Sequence, residues 1–247
     1  TLPNLSIEEA KRQLERQDAL ISSFPQVKSV FGKIGRAETA TDPAPISMEV
    51  LQKANDPRLT TEIARFNLEA NLTPRLLTGK CFQQIEAELR ELIAKARAGA
   101  KNFDADVLLS GILPTLSQSD LTLENLTPSP RYEELNREVI RSRGGPLSIY
   151  IKGLDELHLS HDNIMMESCN TSFQIHFQTN PNDFVRDYNL AQAITAPVLA
   201  GAVNSPLLFG KRLWRETRVA LFQHSTDARS RPQLARSQPA RVSFGDK

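Results

Sequence analysis

The chain has 247 residues, 40% of them hydrophobic and 24% charged, with a formal net charge of +1. Such a length allows one large domain or two small ones around a sizeable core, and the composition is that of an ordinary globular protein. A near-neutral charge gives no reason to expect a nucleic acid or an anionic membrane as partner, and no apolar run approaches the ~18 residues of a membrane span. Cys81 and Cys169 lie far apart without metal-ligand spacing, and a reduced pair is expected. The chain opens on Thr and closes on a polar run, so it is read as a fragment.

Residues 6–22, SIEEAKRQLERQDALIS, start with Ser6 and carry Glu9 three positions later, the spacing of a helix capping box. Ile7, Ala10, Leu14 and Leu20 give this helix an apolar face. Residues 24–48 are rich in Gly, Pro, Thr and Asp and read as a short strand with loops. The texture changes after residue 49. ARFNLEANLTP (64–74) alternates, with Phe66, Leu68 and Ala70 on one face and Asn67, Glu69 and Asn71 on the other.

A long amphipathic helix is predicted over 81–101, with Phe82, Ile85, Leu89, Leu92, Ile93 and Ala96 on one stripe. DVLLSGIL (106–113) reads as a buried strand stopped by Pro114, and Pro130 opens a helix over 130–142. LSIYIKG and ELHLSHD supply two strands. NTSFQIHFQ (170–178) follows, with Phe173, Ile175 and Phe177 alternating against Ser172, Gln174, His176 and Gln178, the pattern of a half-buried strand. A helix interrupted by Pro197 is expected over 182–203, running into NSPLLFGKRLWRETRVALF. Strands with hairpin-like gaps and a few long helices predict an α+β fold with a mostly antiparallel twisted sheet and packed helices. The Arg/Ser/Pro-rich tail, 227–247, is expected to be poorly ordered.

Two polar sets, Asn67/Glu69/Asn71 and Ser172/Gln174/His176/Gln178, each share a strand face, and Glu216 and Arg218 would share a third. If these faces converge they line one cavity suited to magnesium and a nucleotide, because hard cations take carboxylate oxygens and Arg pairs with carboxylate or phosphate. If they do not, they are solvated sheet faces with an incidental Glu–Arg pair. Both readings stay open on pattern alone. His158 and His161 would suit a metal on a helix but sit in a strand-to-loop context, so they are set aside. GKIGR (32–36) lacks the remaining residues of a phosphate loop, and Cys169 is expected to be structural.

The run MMESCNTSFQIHFQ, then a helix, then APVLAGAVNSPLLFG and LWRETRVALF resembles the glutamate–cysteine ligase type 2 family, including its carboxylate–amine ligase-like branch. The likeness extends upstream through RFNLEANLTP, LLSGILPTL and TPSPRYEELN, over residues 49–245. It implies a glutamine-synthetase-like funnel, here incomplete, that holds ATP, Mg2+ and glutamate. The implied chemistry is phosphorylation of the glutamate γ-carboxylate followed by attack of an amine such as cysteine, as in glutathione biosynthesis in the cytoplasm. By the same resemblance Gln174, His176 and Arg218 act on substrate, and Glu69 and Glu216 hold metal. Arg131, Tyr132 and Asn204 contact the bound molecules, and Ser205 completes the NSP turn.

Residues 1–48, which include GRAETATDPAP, resemble part of the periplasmic region of heavy-metal efflux permeases of the resistance–nodulation–division class. The expected organisation is therefore an efflux-permease-like segment over 1–48, a partial ligase core over 49–226 and the tail. A non-catalytic nucleotide- or amino-acid-binding relative, or a transporter fragment, are the alternatives.

Overall fold

The computed structural model describes residues 42–225. The helix expected at 6–22, the loops up to residue 41 and the tail lie outside the described residues. From Pro43 onward the described residues fall in one compact unit.

Helix α1 (Ser47–Ala54) runs unbroken across the 48/49 position and ends at Asn55 in the left-handed conformation. Strands β1 (Leu59–Thr61) and β2 (Leu68–Ala70) pair antiparallel, with Thr60 opposite Glu69. Helix α2 (Cys81–Ala100) forms as predicted, but its buried stripe is Cys81, Glu88, Leu92, Ala96, Gly99 and Ala100. Phe82 is exposed instead. The stripe is rotated because α1 crosses at Gly99, where a Cβ would lie 2.8 Å from the Val50 carbonyl oxygen. Glu88 tolerates burial because Arg58, Arg75 and the Thr73 amide and hydroxyl all donate to its carboxylate.

The main core lies further along the chain. Helix α3 (Pro130–Arg143) has Pro130 in its first turn and is closed by Gly144 at φ 74°. Strands β3 (Leu147–Lys152) and β4 (Glu156–His161) pair antiparallel from Leu147↔His161 to Lys152↔Glu156. Leu147, Ile149 and Ile151 point inward and the residues between them are exposed, the alternation a one-sided sheet requires. A 3-10 helix over Ile164–Cys169 buries Met165 and Met166 in the same core.

Helix α4 (Phe184–Gly201) contains Pro197 and has no buried residue. Strands β5 (Leu207–Leu208) and β6 (Lys211–Arg212) form a third antiparallel pair, and α5 (Thr217–Ser225) buries Thr217, Ala220 and Leu221.

The fold is α+β with small antiparallel sheets, as the sequence predicts. Three expected strands differ. DVLLSGIL is irregular, with Ile112 buried but Leu108 and Leu109 exposed, because its chain turns at Gly111 to meet residue 204. NTSFQIHFQ forms neither strand nor helix and has no ladder partner among the described residues, and WRETRVALF becomes a turn and then α5. Among the described residues no helix is long and apolar enough to cross a membrane.

Candidate functional site

A buried polar constellation is built where three stretches meet: Ser110–Gly111, Asn204–Ser205 and Glu216–Arg218. Ser205 and Glu216 form an isolated parallel bridge, and the Thr217 amide donates to the Ser205 carbonyl at 3.0 Å. The buried Glu216 carboxylate accepts from the Asn204 amide at 3.0 Å and from the Ser205 hydroxyl. It also takes Arg218 Nε at 2.5 Å and Nη2 at 2.9 Å. With about four lone-pair sites on a carboxylate, these bonds use its whole accepting capacity. Burial alone would push the Glu216 carboxyl up, yet the bonds from Arg218, Ser205 and Asn204 hold it below its ordinary value.

Arg218 is spread over the same junction. Its Nη1 donates to the Thr171 carbonyl at 2.7 Å and its own amide to Ser205 Oγ at 3.2 Å. The guanidinium therefore anchors the start of the irregular segment that follows Thr171. Gly111 makes this possible: a Cβ there would lie 2.7 Å from the Asn204 carbonyl oxygen and 2.8 Å from Arg218 Nε. Gly111 and Thr171 are the residues of this junction that motif reading passed over. The available signal was a lone Gly inside an apolar run, which marks a close backbone approach.

The other expected site residues lie elsewhere. Gln174 and His176 are exposed, as are Ser172 and Gln178, and among the described residues Gln174 donates to Ser172 Oγ at 3.4 Å. Glu69 is exposed on β2 and accepts from Thr60 Oγ1 at 3.2 Å. Asn67 instead donates to the Ser168 carbonyl at 2.7 Å, a structural tie. Arg131 stacks 5.7 Å from the centre of the Tyr132 ring, and the Tyr132 hydroxyl donates to the Thr61 carbonyl at 3.4 Å. Burial, and then the nearby Glu62, push the Tyr132 phenol up. Burial likewise raises the Glu167 carboxyl and drives the Cys169 thiol far up, which leaves Cys169 an inert core residue.

The structure thus joins Asn204, Ser205, Glu216 and Arg218, and places Arg131 and Tyr132 beside β1. The model of glutamate-cysteine ligase family 2 matches residues 33–244. The chain belongs to this family.

Membership makes a ligase-type enzyme the family-level identity of the chain, with carboxylate–amine chemistry as the family's theme. The match begins upstream of residue 49, inside the stretch that resembles an efflux permease. A 48-residue stretch is 56% identical to the cation efflux system protein CusA of Escherichia coli K12 and of Escherichia coli O157:H7. It is 58% identical to the putative cation efflux system protein SilA of Salmonella typhimurium. These alignments cover 19% of the chain and span only 5% of each efflux protein. No solved structure matches the chain.

Proposed function

We propose that the chain is an ATP-dependent carboxylate–amine ligase that activates the γ-carboxylate of glutamate and joins it to an amine such as cysteine. The observation that carries this reading is the family match over 33–244, which includes the junction of Asn204, Ser205, Glu216 and Arg218. A γ-carboxylate oxygen attacks the terminal phosphorus of ATP, the bond to the bridging oxygen breaks and ADP leaves. The amine nitrogen then attacks the acyl carbon, inorganic phosphate departs and the nitrogen loses a proton. Such transfers rely on positioning and charge neutralisation rather than on a covalent enzyme intermediate. The proposed setting is the cytoplasm.

Within this reading Glu216 is a positioning residue, since its oxygens are occupied in holding Arg218 and the 204–205 turn. Arg218 presents the positive charge at the junction. Magnesium, expected at Glu69 and Glu216, does not fit the residues described. Among them no group of three or more His, Cys, Asp or Glu side chains is placed to hold a metal ion. Magnesium would arrive on the phosphate oxygens of ATP.

The saturated Glu216 and the exposed Gln174 and His176 favour one second reading, a relative that binds nucleotide or amino acid without turnover. A hydroxylamine trap separates the two. The purified chain with glutamate, ATP, magnesium salt and hydroxylamine should yield γ-glutamyl hydroxamate. A folded sample that binds ATP but forms no hydroxamate and releases no phosphate would overturn the ligase reading in favour of the second.

A further inference from the structure

One face of helix α3 looks into a cavity. Glu133, Asn136, Arg137, Ile140 and Arg141 recur at the spacing of a single helical stripe, and together they line a space of about 820 Å³. The rest of the lining comes from the stretch 123–128 and from Arg65. Both parts are held in place. The Arg65 amide donates to the Asn125 carbonyl and the Thr127 amide to the Ile63 carbonyl, each at 2.8 Å, on either side of the Ala64–Leu126 bridge. On α3, Asn136 Oδ1 accepts from the Ile164 amide at 3.0 Å. The volume lies within the ~300–1,000 Å³ of small-molecule sites, and walls tied in this way are formed before any ligand arrives.

Arg65 is the group in this lining whose chemistry is unused. Among the described residues its guanidinium enters no hydrogen bond, and its Nε is buried without a partner. The carboxylate with which it pairs, Glu49, has Oε1 3.9 Å from Nη2, beyond hydrogen-bond reach. Nearly all buried polar atoms of a folded protein are hydrogen-bonded, so an idle guanidinium beside a cavity points to a missing acceptor. Arg137 and Arg141, the other two cations of the lining, are already paired with Glu134 and Glu138 along α3. Asn136 adds a second donor. Its oxygen is taken by Ile164, and its amide nitrogen enters no hydrogen bond among the described residues.

The remaining residues select the ligand. Leu123, Leu126, Pro128 and Ile140 supply apolar surface, which suits a hydrocarbon body. Glu124 and Glu133 also line the cavity. With three arginines against two glutamates, the lining favours a single negative charge over the double charge of a phosphate monoester. A guanidinium matches a carboxylate with two parallel hydrogen bonds. We propose that this cavity binds an organic monocarboxylate with an apolar body, its carboxylate on Arg65 and Asn136 and its hydrocarbon against Leu123, Leu126 and Ile140. The junction of Asn204, Ser205, Glu216 and Arg218 shares no residue with this lining, so the proposal stands whether or not the ligase reading holds.

Octanoate is the probe. Isothermal titration of the full chain should show saturable binding of a single octanoate per chain. Arg65→Gln should weaken it at least about tenfold, because hydrogen bonds from a charged group are lost. Its circular dichroism should be unchanged, since the backbone ties at residue 65 remain. Ile140→Trp fills the cavity from α3 with Arg65 intact, and should weaken binding by a similar factor. Neutral octanamide and dianionic octyl phosphate should each bind at least about tenfold more weakly than octanoate. Absence of saturable binding, an affinity unchanged by Arg65→Gln or by Ile140→Trp, or octanamide or octyl phosphate binding as tightly as octanoate would overturn the proposal.

Discussion

Two stretches of this chain carry the same alternation and meet opposite fates. In LSIYIK (147–152) the inward residues Ile149 and Ile151 are 0% and 2% exposed, whereas Phe173 and Ile175 of SFQIHF (172–177) are largely open to solvent. The first is paired along its length with Glu156–His161, and its apolar face lies in one core with Met165, Met166 and Leu221. The second has no ladder and no cover among the described residues. Alternation specifies which side chains share a face, but burial needs a second element at the right distance.

The largest expected effect breaks the comparison at its centre. Ile149→Ala should cost about 2–5 kcal/mol by urea denaturation, as for other truncations in a packed core. Ile175→Ala should change stability by less than about 0.5 kcal/mol. Equal losses would mean that the two stretches are equally packed in solution, and the contrast would be lost.

An intermediate effect is expected at the hinge between the two regions. Arg218→Ala leaves the buried Glu216 without its cation and frees Thr171, for a loss of about 2–3 kcal/mol. It should also abolish hydroxamate formation. Gly111→Ala pushes a methyl group against the same guanidinium and the Asn204 carbonyl, and should cost about 1–3 kcal/mol. The double variant should lose less than the sum, because both changes act on one guanidinium. Strict additivity would show that Gly111 works independently of Arg218.

The smallest effect is an acid limb that only the packed part of the molecule can have. Hydrogen bonds from the Thr73 hydroxyl, Arg75, the Thr73 amide and Arg58 hold the Glu88 carboxyl at about 2 against burial, below its ordinary 4.5. The unfolded chain therefore takes up this proton first. The stability that Glu88 contributes is complete above about pH 4.5 and is lost as pH falls toward 2. Unfolding midpoints followed across that window should decline less in Glu88→Gln. The segment 172–178 carries no carboxylate, so signals from it should not titrate there.

Much of the fold was legible in residue pattern. Pro130 and Gly144 bracket α3, the alternation of LSIYIK and ELHLSH marks β3 and β4, and the apolar period of 81–101 gives α2. These signals are local: a fixed φ, a left-handed stop, a repeat of two or of 3.6. The stripe of α2 was misread because Glu88 looks like a surface residue until Arg58, Arg75 and Thr73 surround it. Glu216 and Arg218 were legible as a pair, but their geometry was not. A two-residue spacing fits a strand face, and only the Ser205 bridge and the start of α5 turn it into a clamp.

The sequence by itself determined the α+β class, the main helices, the paired hairpin and membership of a ligase family, because periodicity, turn chemistry and ordered motifs are properties of neighbours along the chain. Only the tertiary structure decided that Glu216 spends its oxygens on Asn204, Ser205 and Arg218, that Gly111 must stay bare, and that Phe173, Ile175 and Phe177 face solvent. Each of those depends on which distant segment arrives beside a residue, and that is settled by packing and hydrogen-bond satisfaction across the whole unit.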